Sequence, residues 1–202
     1  MATQEYERFQ TSFLDDDSGA ERDGLDTEAL AALSGDERKS AESQLLRKLP
    51  DVRGILGLGV LRSLRAVPEL TKIFERERPL LSYKLIAAAA ALWRVAPDLR
   101  YLDAVVDTLE NAASSERRTE AALTLWEFHA PAAVPPLVRA MDDEDVLVRH
   151  HAARALLVIH GIPNGPGDPQ HPISRVMSPD DGTHAAAKDE ILRMIAGRPL
   201  AP

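Results

Sequence analysis

The stretch LVRHHAARALL, residues 147–157, decides the fold. Arg149 is followed at three and four positions by Ala152 and Ala153, and at seven and eight by Leu156 and Leu157. That spacing lines residues up along one face of an α-helix. Working back along the chain, the same series follows Arg118 (Ala121, Ala122, Leu125, Trp126), Lys84 (Ala87, Ala88, Ala91, Leu92) and Arg53 (Leu56, Gly57, Val60, Leu61). The heading residues are 31, 34 and 31 residues apart. A fixed period of this length marks a stacked-repeat architecture, because one unit cannot bury its apolar face alone and must lay it on its neighbour. Small residues in the middle of each face let helices approach closely, and the bulky pair fills the next layer.

Between these helices lies a second, shorter type. Ala66, Val67 and Pro68 lead into Glu69 and Leu70, and Ala133, Val134 and Pro135 lead into Pro136 and Leu137. Proline suits the first helical turn, where its missing N–H would lack a partner in any case, so each tripeptide reads as a helix start. Pro97, with Asp98 and Leu102, is a looser equivalent. The chain is therefore expected to alternate helices over 36–49 and 51–64, 66–77 and 80–95, 98–111 and 115–128, and 131–141 and 144–160. No segment alternates apolar and polar residues over a useful length, so no sheet is predicted.

The run Ala66 to Leu70, the run Leu147 to Leu157 and their spacing resemble bacterial HEAT-like repeats of the kind first described in phycobilisome lyases. The resemblance covers roughly residues 36–160. It implies an all-α, right-handed α-solenoid of about four helix pairs with capping helices at both ends, and it leaves function open, since scaffolds, lyases and inhibitors share the architecture. The first copy departs from the pattern, because Gly54, Gly57 and Gly59 stand where other copies carry alanine. Each costs about 1 kcal/mol in a helix interior. Either another backbone comes close there or that helix is short and bent.

Composition supports one repeat domain over residues 27–202 with a leader over 1–26. Of 202 residues 45% are hydrophobic but only 4% aromatic, so the core must be built from Ala, Leu and Val. The chain has no Cys, which excludes a disulfide framework, thiolate catalysis and Cys-ligated metal sites. Met1 to Asp17 lacks a basic start followed by an apolar run, and nothing approaches the length of a membrane span. A cytoplasmic protein with no membrane contact is the expectation. Asp15, Asp16, Asp17, Glu21, Asp23, Asp26 and Glu28 face only Arg22. This segment reads either as a solvated, flexible leader or as an acidic tail for a basic partner. Ser34 followed by Glu37 reads as a capping box opening the first stable helix.

A net charge of −8 argues against nucleic acid, whose binding needs a coherent basic face. A glycosylase-like DNA-binding role is the weakest of the alternatives. The four heading basic residues are expected to bond the turns between helices, with Asp51, Glu116 and Asp145 near Arg53, Arg118 and Arg149. His129 and His160 fall eleven residues after Arg118 and Arg149. With no third ligand in view they read as helix-end residues. His150 and His151, being adjacent, diverge on the helix and cannot chelate. Asp142, Asp143, Glu144 and Asp145 read as an acidic N-terminal cap, and Ser114 and Ser115 as caps. Gly57 and Gly59 lack the Lys-Ser/Thr ending of a phosphate loop. No catalytic residue, cofactor or metal is assigned, and the protein is not expected to be an enzyme.

Once the packing positions are assigned, offsets one, five and nine after each heading residue remain. They are Gly54, Leu58 and Arg62; Leu85, Ala89 and Trp93; Thr119, Leu123 and Glu127; His150, Arg154 and Val158. These are predicted to line one concave groove, apolar in its first half and charged in its second. An apolar patch rimmed by charge suits a protein partner, here a basic one, and Trp and Arg are favoured anchors. The competing reading packs Trp93 and Leu85 under a neighbouring helix. The function expected is that of a protein-interaction module, in its most concrete form an inhibitor or immunity-type protein masking a toxin or enzyme. The alternative is a lyase or other enzyme holding a small ligand with Trp93, His150 and Arg154. After residues 161–172 (GIPNGPGDPQHP), too rich in Gly and Pro for a helix, a terminal cap is expected over 173–197.

Overall fold

The computed structural model describes residues 2–15, 24–163 and 168–201. All regular structure among these residues is helical, and it divides into two compact units, 1–101 and 102–202.

Unit 1 holds α1 (Gln4–Phe9), α2 (Thr27–Ala32), α3 (Gly35–Lys48), α4 (Val52–Val60), α5 (Val67–Glu77) and α6 (Tyr83–Val95). The boundary falls in the first turn of α7 (Leu99–Asn111). Unit 2 continues with α8 (Ser115–Leu125), α9 (Val134–Ala140), α10 (Val146–Ile159), α11 (Pro172–Arg175) and α12 (Asp181–Ile195). Within each unit successive helices pack side by side, as α-solenoid repeats do: α4 lies on α3 and α6, and α10 lies on α8 and α9. All eight expected repeat helices form. Where the reading ran a few residues long, tighter turns occupy the difference, at Leu64–Ala66, Arg78–Leu80, Trp126–Phe128 and Pro131–Ala133.

The basic-headed helices start alike because each has a capping oxygen. Asp51, Ser82, Ser114 and Asp145 accept from the backbone N–H groups of Arg53, Leu85, Arg117 and Leu147. Each such cap stabilises its helix by about 1 kcal/mol. The acidic run 142–145 thus contains a cap, as expected, but its other members serve as ion-pair partners. Asp143 and Glu144 pair with Arg118, and Asp142 with Lys188.

Three expectations about local structure need correction. Residues 4–14, assigned to a flexible leader over 1–26, are helical, through α1 and a wider turn over Gln10–Leu14, and Phe9 and Phe13 are fully buried. The signal was present in Tyr6, Phe9 and Phe13, whose spacing of three and four puts rings on one helical face. Most of the acidic run, residues 16–23, lies outside the described residues. Ser34 is the N-cap of α3 but its side chain caps nothing, and no capping box forms. Glu37 instead accepts from the backbone N–H and hydroxyl of Thr3, both at 2.8 Å, tying α1 to α3. Finally, the basic ladder is developed most fully at Arg118. Its guanidinium binds Asp143 through Nε and Nη2 at 2.8 and 2.9 Å, and donates to the carbonyl of Ala112 at 3.0 Å, in the turn joining α7 to α8. Glu116, the expected partner, accepts from Ser114 instead. Arg53 reaches the carbonyl of Asp15 at 2.9 Å. Arg149 has a buried Nε with no partner. The acceptor that Arg118 uses comes from the following repeat, and after α10 the repeat pattern stops.

The glycines of the first copy mark close approach. A Cβ on Gly57 would stand 2.8 Å from the Leu45 side chain and 3.1 Å from the ring of Phe13, and one on Gly59 would stand 2.9 Å from both Cα and Cβ of Ala91. Both halves of the expected alternative hold, since α4 is also short at nine residues.

Candidate functional site

In unit 2, α8 and α10 lie against each other but do not close completely. Between them is a cavity of about 260 Å³ lined by Leu123, Trp126, His151, Arg154, Ala155 and Val158. Leu123 comes from the middle of α8, and Trp126 from the tight turn that follows it. The other four come from one side of α10, at offsets two, five, six and nine from Arg149.

Trp126 owes its place to a change of helical pitch. By the repeat pattern it belongs to the buried bulky pair, yet it is 39% exposed while Phe128 is 2% exposed. The α-helix ends at Leu125 and Trp126–Phe128 form a three-residue-per-turn segment. The tighter winding rotates each side chain by about 20° more per residue than an α-helix, turning Trp126 outward and Phe128 inward. His129, left-handed at φ 44°, ends the segment, and its ring meets that of Trp126 edge-on at 6.0 Å. His160 likewise ends α10, with Nδ1 on the carbonyl of Leu156 at 2.8 Å. Both histidines therefore stand at helix ends, as read from the sequence.

Charge in the cavity is confined to one residue. Arg154 is exposed, and its guanidinium forms no ion pair or hydrogen bond among the described residues. His151 beside it has a buried Nδ1 without a hydrogen-bond partner. Burial, and then the neighbouring His150 and Arg154, push the His151 imidazole below its ordinary value, so it is neutral at pH 7. An unpaired buried polar atom costs about 1–3 kcal/mol, so this nitrogen is a local cost to the fold.

A larger cavity of about 430 Å³ in the same unit is lined by Leu109, Glu110, Pro136, Arg139, Ala140, Asp142 and Asp143. Its charged groups are already committed. Glu110 pairs with Arg139, Asp142 with Lys188 and Asp143 with Arg118. Recognition there would have to break pairs that hold the fold, so the smaller cavity is the better candidate.

Of the twelve predicted groove residues, Leu123, Arg154 and Val158 meet in the smaller cavity. Thr119 and Glu127 are half-buried on α8 and just beyond it but do not line it, and the His150 ring turns to the carbonyl of Ile173 on α11. In unit 1 four of the six positions are buried. Gly54, Leu58, Leu85 and Ala89 are packed in the core rather than lining a groove, as the competing reading held for Leu85. Small residues on α4 bring its neighbours close enough to cover them. Arg62 is exposed just after α4, and Trp93 is half-buried on α6. Sequence reasoning missed Trp126, His151 and Ala155, because it took the α-helical stripe to run unchanged past Leu125 and left offsets two and six out of the groove. Among the described residues no group of three or more His, Asp or Glu is placed to hold a metal ion, and no helix is long and apolar enough to cross a membrane.

Residues 102–170 match the family model of the HEAT repeats. This supports a HEAT-like repeat protein, and the matched segment lies within unit 2 and contains every residue of the cavity. A search of curated proteins finds no match.

Proposed function

We propose that the chain is a non-enzymatic protein-interaction module, and that unit 2 receives one apolar anchor side chain of a protein partner in the cavity between α8 and α10. The observation that carries this is the cavity's size and lining together. At about 260 Å³ it falls below the roughly 300–1,000 Å³ usual for sites that enclose a small molecule, but it suits one inserted side chain. Trp126 and Arg154 are the residue types that most often dominate partner binding. Extended repeat stacks use their exposed helical surface for this purpose.

The net charge of −8 supports a basic partner, drawn in by the field of the whole chain. An inhibitor or immunity-type role, masking a basic active surface, is the most concrete form of the proposal. The lining offers no nucleophile and no carboxylate pair, which supports binding over catalysis.

The test is affinity purification with the native chain and with Ala155→Trp, which fills the cavity, at low and high salt. One stoichiometric basic protein is expected on the native chain, less of it at high salt and none on the variant. Equal recovery on the variant would overturn the proposal. A rise in melting temperature from a metabolite panel without any captured protein would favour the small-ligand reading.

A further inference from the structure

The cavity described above has three properties that together specify more than an apolar anchor. It has room for an apolar side chain, it carries one arginine with no counter-ion among the described residues, and it is lined beside that arginine by a neutral imidazole. From these we infer that the cavity is a receptor for the C-terminal residue of the partner chain, with the apolar side chain inserted against Trp126, Leu123 and Val158 and the α-carboxylate held by Arg154. The inference rests on the reading of the cavity as the partner's anchor point.

The argument begins with Arg154. Three other arginines of unit 2 meet carboxylates of the chain itself: Arg118 binds Asp143, Arg139 binds Glu110 and Arg175 binds Glu190. In a chain of net charge −8 with carboxylates in excess, an arginine that lines the cavity and has no counter-ion among the described residues is matched to an anion from outside. Guanidinium and carboxylate fit as a planar, two-bonded pair, stronger than a neutral contact.

The second step is geometric. Arg154 and the apolar lining face one cavity of about 260 Å³, so charge and apolar body are met together by one residue or by immediate neighbours. In a terminal residue the carboxylate carbon is bonded to the same Cα as the side chain, so a short apolar residue brings both groups together with no further chain to accommodate. An internal acidic neighbour would need its backbone to continue past the opening.

His151 completes the set. Being neutral, it adds no competing charge beside Arg154. Backbone and side-chain donors around a terminal carboxylate are a recurring way of reading chain ends.

Two peptide series test this on the full chain, with a common Gly/Ser body ending in Leu, Ile, Val, Phe, Asp or Lys, one with a free carboxylate and one amidated. Binding is followed by fluorescence anisotropy. Free peptides ending in an apolar residue are expected to bind, and amidation or Arg154→Gln to weaken them about tenfold or more, in keeping with the strength of a charge-assisted pair. Arg154→Gln should leave the melting temperature unchanged, since the side chain is exposed and unpaired. N-acetyl-leucine should bind more weakly than the peptide ending in Leu. Equal binding of free and amidated peptides, indifference to Arg154→Gln, equal affinity for N-acetyl-leucine, or no binding by any peptide would each overturn the inference. If the captured protein is lost on Ala155→Trp while amidation changes nothing, the terminal-residue inference falls and the anchor reading stands. If Ala155→Trp retains the protein, both fall.

Discussion

Leu58 and Leu123 each lie five residues after the basic residue heading their helix. Leu58 is fully buried in unit 1, while Leu123 lines the open cavity of unit 2. The difference traces to the residues around them. In the first copy Gly59 stands at offset six, and Ala91 of α6 comes so near that a single methyl group there would clash. Leu45 and Phe13 close over Gly57 from the other side. In the later copies offset six holds Thr124 on α8 and Ala155 on α10, both buried. A larger residue such as Thr124 in the packing layer sets helix axes farther apart, and the end of α8 is rotated by its tight turn. A repeat pattern thus determines which faces exist, and the size of a few residues determines whether two faces close on each other or leave room for a visitor.

The sharpest way to break this comparison is a matched pair of deletions. Leu58→Ala should cost about 2–5 kcal/mol, the ordinary range for emptying a sealed core site. Leu123→Ala should cost less, because its side chain already borders open space. Chemical denaturation of both variants measures this, and equal losses would erase the distinction.

The heading residues give the next contrast. Arg118→Ala should destabilise the protein by about 3 kcal/mol, since it leaves the largely buried Asp143 carboxylate without its partner. Arg149→Ala should change stability by less than about 1 kcal/mol, because the lost Nε has no bond to lose. Thermal melts at one pH compare them directly.

A smaller effect concerns the packing layer itself. Gly→Ala in a helix ordinarily adds about 1 kcal/mol of stability. At Gly59 the clash with the backbone of Ala91 should outweigh that, giving a net loss of about 1–2 kcal/mol. A gain would show that α4 and α6 are not in close contact.

The last and smallest contrast is in pH dependence. In unit 1 the Ser82 hydroxyl, with Arg76 beside it, holds the buried Glu77 carboxyl below its ordinary value of 4.5. Its contribution to stability is present above that value and is lost as pH falls through the lowered one. In unit 2 burial, with Glu127 adding to it, pushes the Glu120 carboxyl above 4.5. The folded state then holds the proton more tightly than the unfolded one, so stability falls as pH rises from 4.5 through the raised value. Glu120→Gln should remove that decline and leave the protein more stable at neutral pH, whereas Glu77→Gln should weaken it there. Denaturation midpoints between pH 3 and pH 8 check both signs.

Much of the fold could be read from residue types alone. The heading residues, alanine pairs and bulky pairs place eight helices, and the glycines of the first copy announce close approach. What escaped the reading has identifiable causes. Three aromatic residues near the N-terminus were outweighed by the acidic run that follows them, so α1 was taken for solvent-borne chain. The partner of Arg118 comes from 25 residues away, and local spacing pointed to Glu116. The candidate site was legible in part, as Leu123, Arg154 and Val158 lie on the face left over from packing. Trp126 and Ala155 could not be found by periodicity, because a change of pitch moved the first and only the failure of two helices to close exposes the second.

The claim that Leu123 and Val158 line a receptive opening while Leu58 and Leu85 are sealed in the core is tested most directly by methyl NMR. The probe is the free-carboxylate peptide ending in Leu, titrated into a Leu- and Val-labelled chain. The account predicts saturable shifts of the Leu123 and Val158 methyl groups, with those of Leu58 and Leu85 unmoved. Shifts at Leu58 and Leu85, or none at Leu123 and Val158, would contradict it.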